Sequence, residues 1–161
     1  MRGGALPPAL LIAALGLALA FAPRKIFIPA MIAMAIPAVV VGFVPIGQQW
    51  ADPLFFGCWA SVLACALAVH LPRGLGPRLA ILLALDGGFW AGAVIAVAGK
   101  PIDLLISLPC VLLALPGAWL VATKRQIAVK VLASWLIAVA LLAATLQITT
   151  PTPGYVPDHM D

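Results

Sequence analysis

The sequence predicts an all-α fold, a polytopic integral membrane bundle of about six transmembrane helices, and three observations predict it. Hydrophobic residues make up 65% and charged residues 9% of a 161-residue chain, more apolar mass than a soluble domain of that size can enclose. The apolar residues come as continuous runs long enough for a bilayer core of roughly 30 Å, not as the stripes of surface helices. The connectors between the runs are short and rich in proline, glycine and basic residues, so no soluble domain fits between them.

The runs place helices at about 5–22, 26–44, 54–70, 79–98, 103–122 and 127–146. The first carries Arg2, an apolar stretch and Ala18-Leu19-Ala20, which together imitate a secretory signal with a small-residue cleavage site. Cleavage there would leave Arg24 and Lys25 outside and reverse every later connector, so an uncleaved first helix is the expectation. The second run ends at the polar connector Gln48-Gln49-Trp50-Ala51-Asp52, and the third ends at His70, a residue expected to mark a helix end rather than a catalytic base. Residues 147–161 form a Thr- and Pro-rich tail that cannot span and is expected to run extended, outside the membrane.

Charge sets the orientation. Alternate connectors collect seven basic residues, Arg24, Lys25, Arg73, Arg78, Lys124, Arg125 and Lys130, on one side and two, Arg2 and Lys100, on the other. Because cytoplasmic loops retain Lys and Arg during insertion, the expectation is a cell membrane of bacterial inner-membrane type, with both termini outside, in the periplasm. The formal charge of +4 is dispersed at helix ends, so no nucleic-acid partner is implied. The expected partners are the lipid bilayer and, through the tail or a helix face, other membrane subunits or a second copy.

Split three and three, the helices enter the membrane from opposite sides, as in a 3+3 inverted repeat. The middle helix of each half holds a proline pair, Pro29 and Pro37 in the second and Pro109 and Pro116 in the fifth. Proline removes an amide donor and frees a carbonyl one turn earlier, so Pro37 and Pro116 are candidates for framing a binding site, against the plainer reading that they kink helices for packing.

Chemistry is scarce. The chain has no Glu, and four of its five Asp residues lie between or beyond the runs. The exception is Asp86, about 10 Å inside the fourth run, where a carboxylate costs around 3 kcal/mol unless it is protonated or partnered. Its expected partners by depth are Ser134 and the Trp135 indole on the sixth helix, Cys65 on the third, and the Leu112 carbonyl freed by Pro116. Cys58, Ser61 and Cys65 share one face of the third helix by their spacing, which makes Ser61 and Cys65 part of the same candidate relay. Gly88 and Gly92 follow as a GxxxG spacing, read as a helix-packing notch.

No hydrolase elbow, zinc helix, phosphate loop or dinucleotide fingerprint appears, so no enzyme, cofactor or metal site is expected. Met31, Met34 and His159-Met160 invite a soft-metal reading, but no CxxC or His-rich tract supports it. Two functions are expected to compete: a small-solute or ion transporter or channel with Asp86 as proton or cation relay, and a non-catalytic accessory or assembly subunit of a membrane complex.

Overall fold

The computed structural model describes residues 6–72 and 74–148, and within them the chain forms helices and connectors with no strand. The helices are α1 (Leu6–Leu19), α2 (Phe27–Gly42), α3 (Ala51–Ala68), α4 (Pro77–Ala98), α5 (Pro101–Ser107), α6 (Ala114–Ala122) and α7 (Gln126–Ile148). Tight 3₁₀ turns at Arg24–Ile26 and Gln48–Trp50 lead into α2 and α3, and a longer 3₁₀ stretch, Leu108–Leu113, joins α5 to α6. Five segments are long and apolar enough to cross a membrane: Arg24–Gly42, Gln48–Ala68, Pro77–Ala98, Ile102–Ala122 and Gln126–Leu146. Large apolar side chains such as Ile28, Ile36, Phe43, Leu105, Trp119 and Leu142 stand exposed around the outside, an apolar surface of the kind that suits lipid better than water.

The first helix differs from the rest. Over its 14 described residues α1 is shorter than a full crossing, and no residue from Pro7 to Ala20 is exposed. It forms the axis of the bundle and packs against α3, α4, α6 and the 3₁₀ stretch of the fifth span. Leu11, Ile12 and Leu15 are fully buried there.

Around that axis α2 packs on α4, α4 on α3, α3 on α7, and α7 on α6. Glycine sets the closest approach. Gly88 and Gly92 of α4 face α2, where a β-carbon on Gly88 would run into the Met34 carbonyl, and one on Gly92 would stand 2.6 Å from the Ala38 carbonyl oxygen. Small residues at this spacing let two backbones touch, and dispersion between touching backbones is what holds helices together in lipid.

The two proline pairs behave differently. Pro37 sits inside α2 without interrupting it, whereas Pro109 falls in the 3₁₀ stretch that breaks the fifth span into α5 and α6. The expectation of two matched broken helices is corrected: one helix is broken. The asymmetry has a packing cause, since α2 lies flat along α4 while the fifth span bends around α1, where Gly16 admits the Cys110 and Val111 carbonyls. The two halves also pack unequally, α3 resting on α1 while its counterpart α7 rests on α3.

The connectors alternate between the two ends of the bundle. At one end the Leu75 amide donates to the Phe21 carbonyl at 3.2 Å, and Arg24 lies across a groove from Ala122. At the other, Gln48 Nε2 donates to the Val97 carbonyl at 2.6 Å, and Asp103 accepts from the Lys100 amide at 2.8 Å to start α5. The described basic residues Arg24, Lys25, Arg78, Lys124 and Arg125 therefore share one end. Arg2, Arg73 and the expected tail beyond Ile148 lie outside the described residues, and α7 itself runs two residues into the segment read as tail.

Candidate functional site

Asp86 lies nine residues after Pro77, where α4 begins. That is about 14 Å along a helix that is itself about 33 Å long, so the carboxylate is deeper than the sequence suggests. Proline at the first position, with its missing amide harmless there, starts α4 two residues before the apolar run does.

At this depth α4 meets α3, and two donors converge on the carboxylate. The Ser61 hydroxyl makes a short hydrogen bond to Asp86 Oδ2, and the Trp90 indole Nε1 donates to Oδ1 at 3.0 Å. Ser61 is 3% exposed, so its hydroxyl has been withdrawn from any solvent and needs this partner. Trp90 reaches Asp86 from one turn further along the same helix. Its six-membered ring fills the space that a side chain at Gly57 would occupy, and Phe89 meets it edge-on, with ring centroids 5.2 Å apart. Glycine on α3 thus permits the indole to lie flat in the interface with its N–H aimed at the acid.

Cys58 and Cys65 are both buried on the α3 face that carries Ser61, one turn to either side of it. The result is a narrow polar lane between α3 and α4, bordered on the outside by the exposed side chains Phe56, Leu85 and Phe89. Asp86 itself is half-buried. Among the described residues its hydrogen-bond partners are one hydroxyl, able to donate or accept, and one indole N–H, which can only donate.

The structure brings together Asp86, Ser61 and Cys65 of the residues singled out in the sequence, and separates the others. Ser134 is turned to His70, with its hydroxyl 3.5 Å from Nε2. Trp135 and Leu112 are 57% and 48% exposed. Depth matching placed these groups level with Asp86, but α7 packs behind α3 and α6 packs on α1 and α7, so equal depth does not become contact. Pro37 touches α4 on the Gly88 face, away from the face that carries Asp86. Pro116 is exposed on α6. The prolines therefore do not frame the Asp86 site.

Sequence reasoning overlooked Trp90 and Gly57. The signal for Trp90 was present, since Asp86 and Trp90 are spaced i, i+4 on one helix and an indole N–H is a natural donor to a membrane carboxylate. A third overlooked residue is Trp59, 5% exposed and with an indole N–H that meets no acceptor among the described residues. Among the described residues no three His, Cys, Asp or Glu side chains gather closely enough to hold a metal ion.

Replacing Trp90 by Phe should remove the donor to Oδ1 together with outer ring atoms that lie against Gly57. A loss of about 1 kcal/mol or more is expected, from the lost hydrogen bond and the thinner ring contact together, read from unfolding in mixed detergent. No loss would mean that neither the bond nor the ring contact stabilises the bundle.

Compared with known proteins, the chain matches no family model, no curated protein and no solved structure, so the functional reading rests on the geometry of Asp86 and its two donors.

Proposed function

We propose that this chain is a multi-pass protein of a bacterial inner membrane that moves protons or a small cation, with Asp86 as the relay. The supporting observation is an acid at mid-helix depth that accepts from Ser61 and Trp90 and has no basic partner among the described residues. An uncompensated intramembrane carboxylate is costly to keep unless its charge is used.

The donor set suggests where a proton travels. An indole N–H can only donate, so Trp90 holds Oδ1 as an acceptor whether or not the acid is protonated. Ser61 can donate or accept, so its hydroxyl can reverse when a proton arrives on Oδ2. Oδ2 is then the oxygen that cycles, and Ser61 is the group that hands the proton on, with Cys58 and Cys65 continuing the lane. Flux through purified protein in sealed vesicles, compared with empty vesicles, tests the proposal; equal flux would end it.

A second reading, as an accessory subunit, is favoured by the half-buried position of Asp86 among exposed apolar side chains, a setting into which a helix of another subunit could bring a hydroxyl or amide. Mass determination after gentle extraction tests it, and a lone monomer without a co-purifying protein counts against it.

In orientation, we propose the basic end toward the cytoplasm and both termini toward the periplasm, from the excess of Lys and Arg at that end. Reporter fusions after His70 and after Lys100 should land in opposite compartments, the former cytoplasmic. Finding them in one compartment would overturn both the topology and the depth assigned to Asp86.

A further inference from the structure

We infer that the groove bounded by the end of α1, the start of α2 and α6 is a site for one acyl chain of an anionic phospholipid, whose phosphate is held by Arg24. The groove has a volume of about 400 Å³, within the range of specific ligand sites. Its walls are Leu19, Ala22, Phe27, Ala118 and Trp119, and Arg24 is its charged member. It exists because α6 packs on α1 and α7 while α2 packs on α4, which leaves the α2–α6 gap unfilled. Along α6 it extends from Ala114 to Ala122, about 12 Å, close to the roughly 15 Å of a single hydrocarbon leaflet. That length suits a chain lying parallel to the helices and entering from one leaflet.

Charge selects the headgroup. Arg24 and Lys25 begin the helical segment on one wall, and Lys124 and Arg125 follow α6 on the other. Asp52 and Asp103 lie in the first turns of α3 and α5, at the opposite end of the bundle, and Asp86 lies on the α3 side of α4, so no described acid stands among these four basic groups. The Arg24 guanidinium can grip a phosphodiester through two N–H donors, and Trp119, 59% exposed, offers the amphipathic ring that favours the interface level. The inference is independent of whether Asp86 carries protons.

The test is mass spectrometry of the intact protein released from detergent containing equal amounts of phosphatidylglycerol and phosphatidylcholine with identical chains. One phosphatidylglycerol should be retained per chain, favoured about fivefold or more. Arg24→Gln should bring the ratio close to unity, and Ala118→Phe, which fills the groove, should abolish retention of either lipid. A second measurement covers misfolding of the latter: phosphatidylglycerol brominated on its acyl chain should quench the emission assigned to Trp119 by difference with Trp119→Phe, more strongly than the brominated phosphatidylcholine. Equal retention of the two lipids by the unaltered protein, an unchanged ratio in Arg24→Gln, or equal quenching by the two brominated lipids would each overturn the assignment.

Discussion

Asp86→Asn should leave the bundle folded and reduce proton or cation flux to that of empty vesicles. Asparagine preserves the geometry: its Oδ1 accepts from the Trp90 indole, and its amide donates to the Ser61 oxygen, so both bonds seen at Asp86 have a counterpart. Stability should change by about 1 kcal/mol or less, since the Trp90 N–H keeps its acceptor and the Ser61 oxygen keeps a hydrogen-bond partner. What the amide cannot do is take up and release a proton at the second oxygen. Asp86→Leu separates the two contributions, because it strands the buried Ser61 hydroxyl and the Trp90 N–H together and should destabilise by about 1–3 kcal/mol. Undiminished flux in Asp86→Asn would dismiss the relay and leave the acid as a packing group, the role that the accessory-subunit reading requires.

The largest loss of stability is expected from Gly88→Val. The contact it disturbs is backbone, the Met34 carbonyl, with Pro37 Cγ 2.8 Å from the new β-carbon, and neither can swing aside as a flexible side chain would. Either α2 separates from α4 along its length or the helix bends, and the cost should be at least about 3 kcal/mol, at the upper end of overpacking effects. Gly87→Ala is the control on the neighbouring face: its β-carbon would stand 3.6 Å from Leu15 Cδ2, an ordinary contact, so its effect should stay within about 0.5 kcal/mol. Unfolding of both variants in mixed detergent decides the matter. Similar midpoints for Gly88→Val and the unaltered protein would mean that the α2–α4 seam is looser than the glycine geometry requires.

The long helices were readable from the chain because a bilayer needs unbroken apolar length, and length is visible in one dimension. Asp86 was readable for the related reason that a charge interrupts such a run. Its partners were not, because depth along a helix is one coordinate while the order of helices around the bundle is another, and nothing in the chain states that α7 stands behind α3. Ser134 and Leu112 were matched on the first coordinate and lost on the second. Gly88 and Gly92 were legible as a notch, but not that α2 fills it. The central place of α1 was hidden as well: its run looks like its neighbours', and only the small residues Ala13, Ala14, Gly16, Ala18 and Ala20 hint that something must come close on several sides.

That central place has a consequence for biogenesis. The most enclosed helix is made well before its cover: the stretch carrying Cys110, Val111 and Ala114, which closes over Gly16, follows it by some ninety residues. Until that closure α1 has lipid, or a chaperoning helix, where its permanent neighbours will stand. A nascent chain halted after α4 would therefore be a half-wrapped intermediate, and the quality-control machinery of the membrane would meet it with its axis still bare.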